Sequence, residues 1–472
     1  MTSPSASSRR AFLQTALGGS MAMPALALQA AAAPAADEHV FLEPARSLPI
    51  NNEADVIVCG AGPAGISAAI TAARAGARTK LFEVHGCLGG VWTAGLLTYI
   101  FDFDKPGLTR ELIQKLDERD ARRSKNPSRF VYEPEPMKLL LEEMCMEAGV
   151  QFQLHTRVTA AYRNGSRLGT IVTDSKAGPE AWSAPVFIDT TGDGDLGAQA
   201  GCAWDIGQAK ECPCQPMTMN ALAVVKDAKA LGDYMSFYQN DDRHLEAVEA
   251  FKGELKRAGI ETSYGHPTLF HVRDNLIMIM INHEYNIKAF DAAEITAATV
   301  RSRREVNRVV NALRALGGVW EGLQVAATAE QIGVRDGRRI AGRYTVTKED
   351  LVTGARQADG VARVTFGADI HAADSEKNKS AGAVTHGGIK TKPYDIPLRA
   401  LIAKDIDGLM MAGRCISGDF IAHASYRVTG NAVAMGEAAG VVAAIAAKSQ
   451  RLPHEVEWSE GAALLAKMGQ RI

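Results

Sequence analysis

The chain has 472 residues, of which 46% are hydrophobic and 22% are charged, and its formal net charge at pH 7 is -2. This length and composition suffice for a full hydrophobic core and predict a globular protein with two joined domains or one large α/β unit. A net charge near zero provides no broad basic field, which argues against nucleic acid or an anionic membrane as a partner and favours small-molecule chemistry.

The first 35 residues have the features of an export signal. Arg9 and Arg10 precede an apolar run rich in Ala, Leu and Met, and small residues suited to signal-peptidase cleavage follow. Two adjacent glycines and a proline in this run argue against a membrane-spanning helix. Residues 8–14, SRRAFLQ, resemble the twin-arginine signal, which implies export of the folded protein to a bacterial periplasm by the twin-arginine translocase. We therefore predict a signal peptide at 1–35, a linker at 36–53 and no stable membrane insertion.

Residues 54–84, ADVIVCGAGPAGISAAITAARAGARTKLFEV, have the order strand, glycine turn, Ala-rich helix and second strand. Gly60 permits a sharp turn, Gly62 lets the backbone approach a pyrophosphate, and Gly65 lets the helix pack against the strand. The N-terminus of the helix presents free N–H groups and a positive dipole to the phosphates. Glu83, which ends the second strand, is suited to accept hydrogen bonds from ribose hydroxyls. The segment therefore predicts a dinucleotide site.

A second glycine cluster, FIDTTGDGDLGAQAG at 187–201, repeats the same spacing at Gly192, Gly194 and Gly197. Asp193 and Asp195 occupy the positions where a pyrophosphate would meet the backbone, and two carboxylates there would repel it. The chain also lacks a following strand with a terminal acid. We therefore predict one nucleotide, with this second turn accepting hydrogen bonds from its sugar or ribityl hydroxyls.

The middle of the chain predicts a β-hairpin and then a region, 205–330, that we call the cap. Polar and apolar residues alternate on both sides of Asn164-Gly165, which is typical of a β-hairpin. In the cap, MIMIN at 278–282 predicts a buried strand. Residues 291–318 have apolar residues at helical spacing and end in a glycine stop, which predicts a helix.

Seven cysteines, an odd number, are scattered through the chain and indicate no disulfide framework. Cys212 and Cys214, on either side of Pro213, are able to pair or to bind a metal. No matching pair of ligands lies close by in the sequence, so we predict no metal site.

Six segments together resemble FAD-dependent oxidoreductases with the glutathione-reductase-type FAD-binding fold. They are VIVCGAGPAG, LGGVWTAGLL, VFIDTTGDGDLG, AEQIGVRDGRRIAGRY, YDIPLRALIAKDIDGLMMAGRCIS and TGNAVAMGEAAGVVAA. The resemblance runs from about residue 54 to 447. It implies an α/β fold in which 54–204 and 331–447 form a Rossmann-like FAD-binding domain, a parallel sheet with a β-meander. An α+β substrate or cap domain at 205–330 and a C-terminal tail at 448–472 complete the predicted organisation.

The resemblance also implies a set of FAD contacts. The ADP half of the cofactor would meet the first glycine turn and Glu83, the diphosphate would also meet Gly89 and Gly90, and the backbone of Val158 would contact adenine. A helix N-terminus at 429–431 would stabilise negative charge on the reduced flavin. The residues implied near the flavin ring, the ribityl chain and this helix start are Trp92, Thr93, Gly413, Arg414, Thr429, Gly430 and Asn431.

Candidate catalytic residues lie in the segments beside the implied flavin contacts. Oxidation of a substrate by flavin releases a proton, and His423 or His386 is the predicted base. We favour His423 because it lies closer to the last helix in the sequence. Arg399 and Tyr394 are predicted to orient a carboxylate or a hydroxyl.

Other polar residues receive a secondary interpretation. Arg427 is a further candidate for orienting the substrate, and His283 is a candidate contributed by the cap. The arginines of the element GVRDGRRI are interpreted as mainly structural, anchoring a loop by ion pairs; they are Arg335, Arg338 and Arg339.

Three classes of function are consistent with these residues. The first is a periplasmic dehydrogenase that oxidises an alcohol, sugar or hydroxy acid by hydride transfer to flavin N5 and passes electrons to an unidentified acceptor. The second is a reductase of activated double bonds with an unidentified electron donor. The third is a flavin-dependent isomerase without net redox change, or a protein in which FAD is structural.

The sequence narrows these classes further. It contains no Cys-x4-Cys pair after the first glycine turn and no second nucleotide fingerprint. The disulfide-reductase branch is therefore set aside, and direct dependence on NAD(P)H is disfavoured. We expect the dehydrogenase, because the sequence offers several candidate His and Tyr residues but no evident pair of arginines to bind a dicarboxylate.

Overall fold

The first glycine turn follows the central strand of a five-stranded parallel sheet. Strands at the centre of this sheet are buried along their whole length, because other elements cover both faces of a parallel sheet. The carboxyl ends of neighbouring parallel strands lie at the same edge, where both glycine turns are found. In a computed structural model of the protein, the strand order is Leu409–Met411, Val186–Asp189, Val56–Cys59, Thr79–Phe82 and Gln151–Gln153.

The structure describes residues 41, 43–124, 126–208, 212–238, 241–379 and 384–469, with only the backbone described at 241–242. The predicted signal peptide at 1–35 lies outside these residues. Residues 48–472 belong to one unit.

The first helix, Pro63–Arg74, packs closely against the long C-terminal helix, Thr429–Ser449. A Cβ atom on Gly436 of the second helix would lie 2.3 Å from the carbonyl oxygen of Ala64, so only glycine permits this approach. Both helices begin at the wall of the same cavity, which Pro63 and Thr429 line. The packing of these helices therefore places two helix N-termini at one site.

A four-stranded β-meander corrects the prediction of a linker. The hairpin predicted at Asn164-Gly165 is present, and Gly165 has a φ of +62°. Two residues of the predicted linker at 36–53 pair in parallel with Ala181 and Trp182, so this part of the segment belongs to the sheet. The strand order is Ile50–Asn51, Gly178–Trp182, Arg167–Ser175 and Arg157–Asn164.

The cap is built on a six-stranded sheet with helices His244–Arg257 and Ala292–Ala315 packed against it. The predicted cap helix is confirmed, and the predicted cap strand is present at Leu276–Met280, two residues before the predicted 278–282. Asp291 begins the second helix, because its carboxylate accepts hydrogen bonds from the N–H groups of Ala293 and Glu294. The strand order is Asp241–Asp242, Phe237–Tyr238, Thr268–Arg273, Leu276–Met280, Ala221–Val224 and Gln324–Thr328.

The remaining elements surround these sheets. The predicted tail at 448–472 contains a helix, Trp458–Lys467, which packs against the long C-terminal helix. Cys212 and Cys214 are joined in a disulfide, one of the two alternatives open from the sequence. The other helices are Leu108–Glu118, Pro134–Glu147, Asp195–Gln199, Lys348–Thr353, Ser375–Lys379 and Phe420–Tyr426. Short sheets pair Tyr99–Ile100 and Arg122–Arg123 with Phe130–Tyr132, Trp204–Asp205 with Arg339–Ile340, Gly360–Val364 with Tyr394–Pro397, and Ile370–His371 with Val384–Thr385. The α/β class predicted from the sequence, a parallel sheet with a β-meander and an α+β cap, is confirmed.

Candidate functional site

A cavity of about 780 Å³ lies at the carboxyl ends of the parallel strands and reaches the cap sheet. Cavities of this size are typical of small-molecule sites, and the carboxyl edge of a parallel sheet is where α/β proteins bind their ligands. The residues that follow four of the five strands line the cavity, namely Gly60, Glu83, Thr190 and Ala412, and the cap sheet contributes Phe270, Met278 and Met280.

The first glycine turn forms a cradle at one end of this cavity. Gly60 has a φ of +97°, and a Cβ there would lie 2.7 Å from the carbonyl oxygen of Thr190. Gly65 brings the helix close to the turn, since a Cβ on it would lie 1.8 Å from the carbonyl oxygen of Gly60. Gly62 is different, because a Cβ on this residue would meet no protein atom within 4 Å. The space beside Gly62 is therefore left for a ligand group that lies against the backbone.

Glu83 is held at the cavity wall by two backbone N–H groups. Its Oε2 accepts a hydrogen bond from the N–H of Ala61 at 2.6 Å, and its Oε1 accepts one from the N–H of His85 at 2.9 Å. Each carboxylate oxygen keeps lone-pair capacity for a hydroxyl of a ligand. Val158, on the meander, lines the same end of the cavity. This end therefore fits the ribose and adenine of a nucleotide.

The second glycine turn is built around ion pairs. Oδ1 of Asp193 lies 2.9 Å from Nη2 of Arg414, and Asp195 pairs with Arg338. Burial raises the pKa of Asp193 to about 6, against the opposing charge of Arg414. The carboxylates of Asp193 and Asp195, each paired with an arginine, thus occupy the space where a diphosphate would have to lie on this turn. This arrangement supports one dinucleotide in the cavity, lying on the first turn.

The structure brings most of the implied cofactor contacts together but not all of them. Trp92 is fully buried and packs on Phe103 with ring centroids 5.8 Å apart, and Thr93 donates a hydrogen bond to the carbonyl oxygen of Leu88. Neither side chain lines the cavity, because the short helical turn at 90–92 directs Trp92 into the core and Thr93 bonds back to Leu88. The implied residues that line the cavity are Gly60, Gly62, Glu83, Gly90, Val158, Gly413, Arg414 and Thr429, while Gly65, Gly89, Gly430 and Asn431 lie behind its wall.

A family model described as FAD dependent oxidoreductase matches residues 55–467 of the chain. The chain belongs to this FAD-dependent oxidoreductase family. Its cofactor is FAD, and the glycine cradle, the anchored Glu83 and the two helix N-termini fit an adenine dinucleotide in the cavity.

Individual relatives resemble only part of the enzyme or resemble it distantly. A thiamine thiazole synthase from Pyrococcus abyssi is 29% identical over 164 residues, which make up 33% of this chain and 63% of that relative. A geranylgeranyl bacteriochlorophyll reductase-like protein from Thermoplasma acidophilum shares 13% identity at a TM-score of 0.46, over 89% of this chain and 84% of that one. A flavin-dependent brominase shares 11% identity at a TM-score of 0.44, over 89% and 84% of the two chains.

Three of the four residues predicted to be catalytic do not line the cavity. His423 is fully buried, and its Nδ1 lies 3.1 Å from Oδ1 of Asp336. Tyr394 is fully buried and donates a hydrogen bond to Oγ of Ser425. Arg399 is on the surface in an ion pair with Asp359. Each is occupied by a protein partner, so the expectation that these side chains contact substrate is corrected.

His386 is the remaining predicted base, and the structure places it at the cavity on an exposed segment. Its Nδ1 lies 2.8 Å from the carbonyl oxygen of Ala368. A carbonyl oxygen only accepts hydrogen bonds, so this contact places the proton on Nδ1. His386 therefore belongs to the exposed part of the cavity lining.

A chain of polar side chains forms another part of the cavity wall. Nη1 of Arg335 donates to Oγ1 of Thr218 at 2.8 Å, and this oxygen lies 3.0 Å from Nδ1 of His283. Nε2 of His283 lies 3.1 Å from Nδ1 of His371, and Nε2 of His371 lies 3.4 Å from Oδ2 of Asp369. All of these residues except His283 line the cavity.

Hydrogen-bond donors and acceptors in this chain fix the histidine tautomers. Nδ1 of His283 lies 2.7 Å from the carbonyl oxygen of Asn282, so the proton of His283 is on Nδ1 and its Nε2 is an acceptor. His371 must then donate from Nδ1, which leaves its Nε2 without a proton. Nε2 of His371, beside the carboxylate of Asp369, is therefore the ring nitrogen without a proton in this arrangement.

The charges around His371 favour a neutral imidazole beside an ionised carboxylate. Burial, followed by the positive charge of Arg335, lowers the pKa of His371 to about 4, although Asp369 opposes this change. Burial acts to raise the pKa of Asp369, but His371, Arg427 and Arg335 outweigh it and hold this pKa well below its usual value. At neutral pH His371 is therefore ready to accept a proton.

Arg427 holds Asp369 in place. Its Nη2 donates to the carbonyl oxygen of Asp369 at 2.8 Å and to Oδ2 of the same residue at 3.1 Å. The side chain of Gln215 accepts a hydrogen bond from the backbone N–H of His371 at 3.0 Å. The expectation that Arg427 orients the substrate therefore changes, because this guanidinium positions a carboxylate of the protein.

Sequence reasoning missed His371, Asp369 and Tyr264 and interpreted Arg335 as structural. Tyr264 stacks on His283, which lies behind the wall, with ring centroids 3.9 Å apart. A usable signal was the segment ADIHAAD at 368–374, where Asp369 and His371 are two residues apart at a short strand, a spacing that places side chains on one face.

Proposed function

We propose that this FAD-dependent oxidoreductase is a dehydrogenase that oxidises a small polar substrate carrying a hydroxyl group. The observation that supports this proposal most is the His371–Asp369 pair at the cavity wall, with its acceptor atom Nε2 beside an ionised carboxylate. Removing a hydride and a proton from an alcohol requires such a base within reach of the hydroxyl.

FAD, when bound, supplies the two-electron acceptor for the substrate C–H bond. The side chains of the enzyme manage the proton. Nε2 of His371 takes the proton of the substrate hydroxyl as the carbonyl forms, and Asp369 stabilises the resulting imidazolium. Arg427 positions Asp369 for this role through the hydrogen bonds from its Nη2.

A reductase of activated double bonds is the second candidate, because both Arg335 and Arg427 line the cavity. Two free guanidinium groups would form the clamp that a dicarboxylate requires. Arg427, however, forms an ion pair with Asp369 through Nη2, so its charge is already balanced by a carboxylate of the protein. The pairing of Arg427 with Asp369 therefore favours the dehydrogenase over the reductase.

An anaerobic experiment distinguishes the two candidates. We expect sugars, alcohols or hydroxy acids from a panel to bleach the oxidised flavin of the purified enzyme. If none does so, and dithionite-reduced enzyme is rapidly reoxidised by unsaturated acids, the reductase is correct and the dehydrogenase proposal fails. A substrate that is isomerised without any change in the flavin spectrum supports the isomerase.

We also propose that the enzyme is exported in the folded state to a bacterial periplasm, where it passes electrons to an acceptor other than NAD(P). The support is the SRRAFLQ segment at 8–14. In a bacterial host we expect the double variant Arg9→Lys/Arg10→Lys to remain in the cytoplasm with its FAD, while the wild type is recovered from the periplasm. Recovery of both proteins from the same compartment contradicts the proposal.

A further inference from the structure

Arg335 carries a charge at the cavity that no carboxylate of the described chain neutralises at close range. Its two hydrogen bonds, to the carbonyl oxygen of Pro216 at 2.7 Å and to Oγ1 of Thr218 at 2.8 Å, both leave from Nη1. Among the residues that the structure describes, no Asp or Glu oxygen lies within 4.0 Å of this guanidinium. A partly buried charge without an ionic partner is costly, so this position favours an anion.

The surrounding groups reinforce this preference. The nearest carboxylates are committed elsewhere, since Asp369 pairs with Arg427 and Asp336 accepts hydrogen bonds from Gln215. Tyr264 lines the cavity beside this wall, and no described residue forms a hydrogen bond with its hydroxyl. The guanidinium and this hydroxyl are both hydrogen-bond donors, which suits an oxyanion.

One part of the cap wall of the same cavity is apolar, whereas Asn220, Ser236 and His266 line other parts of it. Tyr99 stacks on Phe270 with ring centroids 4.7 Å apart, and Phe270 lies opposite Met278 in the cap sheet. Met280 also lines this wall. Such a surface favours an apolar substituent over a second charged group or a fully hydroxylated sugar.

We propose that Arg335 binds the carboxylate of the substrate, and that the substrate is a 2-hydroxy monocarboxylate with an apolar substituent. The hydroxyl group in this inference rests on the proposed dehydrogenase function. The carboxylate does not, because Arg335 can bind an anion whichever reaction the enzyme catalyses. A single carboxylate is expected because the other arginine at this wall, Arg427, already has Asp369 as its ionic partner.

The test measures binding to the oxidised holoenzyme from the change in its flavin absorbance spectrum. Benzoate serves as the anionic probe, benzamide as its neutral counterpart and succinate as the dicarboxylate. We expect the wild type to bind benzoate at least about tenfold more tightly than benzamide or succinate, and Arg335→Gln to lose about tenfold to a hundredfold of the benzoate affinity. Arg451→Gln, which removes a surface ion pair with Glu460, is the matched control and should bind like the wild type.

Two results overturn the proposal independently. One is benzoate affinity in Arg335→Gln equal to that of the wild type, in protein with normal FAD content and thermal stability. The other is the absence of any preference for benzoate over benzamide in the wild type, which needs no variant and so holds even if Arg335→Gln fails to fold.

Different results contradict the proposed anion site and the proposed dehydrogenase function. If benzoate binding depends on Arg335 but no hydroxy acid bleaches the flavin, the anion site stands and the dehydrogenase is wrong. If hydroxy acids at low concentration bleach the flavin equally fast in the wild type and in Arg335→Gln, the dehydrogenase stands and the anion site is wrong.

Discussion

Replacing Gly62 with valine is expected to yield a folded but colourless protein. Gly62 has the ordinary extended backbone angles φ -69° and ψ -175°, so a side chain causes no backbone strain. A Cβ there meets no protein atom within 4 Å and enters the cavity instead. The side chain would occupy the space where the diphosphate lies against the helix N-terminus. We expect FAD affinity to fall by at least about 100-fold, an increase of about 3 kcal/mol in the binding free energy.

The measurements are the flavin absorbance of the purified variant, its affinity for added FAD and its thermal unfolding. Because bound FAD stabilises only the folded state, Gly62→Val should unfold at the temperature of the wild-type apoprotein, below that of the holoenzyme. Gly253→Val is the matched control, since Gly253 is exposed on a cap helix and a Cβ there also meets no atom. A yellow Gly62→Val protein with normal FAD affinity would show that the diphosphate lies elsewhere.

The sequence was sufficient for the cofactor end of the site because the determinants there are local. Gly60, Gly62 and Gly65 act through backbone conformation and close approach within six residues, and Glu83 directly follows the next strand. Local reasoning did not predict that Trp92 faces the core, because a three-residue helical turn sets the direction of this side chain. A rotation of that kind depends on packing against residues such as Phe103, which the local pattern does not reveal.

The substrate end was beyond sequence reasoning because it is assembled from distant segments. Thr218 comes from the start of the cap, Arg335 from the return to the FAD-binding domain, and His371 and Asp369 from a short strand pair. None of these segments has a motif that specifies a ligand. The choice of His423 as the base relied on its proximity to the last helix in the sequence, but helix Phe420–Tyr426 turns this residue toward Asp336 and the core.

Replacing His371 with glutamine is expected to slow flavin reduction by a hydroxyl substrate by about 100-fold to 10,000-fold, the usual contribution of a general base. Glutamine retains polar atoms near the positions of the ring nitrogens but does not accept a proton at neutral pH. The measurement is the anaerobic single-turnover rate of flavin bleaching, with whichever compound of the panel reduces the wild type. FAD content should remain normal, because His371 lies on the cap-facing wall of the cavity and not on the glycine cradle.

The dependence of this rate on pH separates a base from a residue that only shapes the site. Protonated His371 has no acceptor atom, and its pKa is lowered to about 4. The wild-type rate should therefore be constant near neutral pH and fall as the pH decreases through about 4, whereas His371→Gln should lose this acidic limb. His386→Gln tests the competing candidate at the exposed rim, and His454→Gln, a surface histidine near Asp407, is the control. The proposal fails if His386→Gln abolishes bleaching while His371→Gln retains both the wild-type rate and the acidic limb. His386 would then be the base, and the Asp369–His371 pair would be only a structural part of the cavity wall.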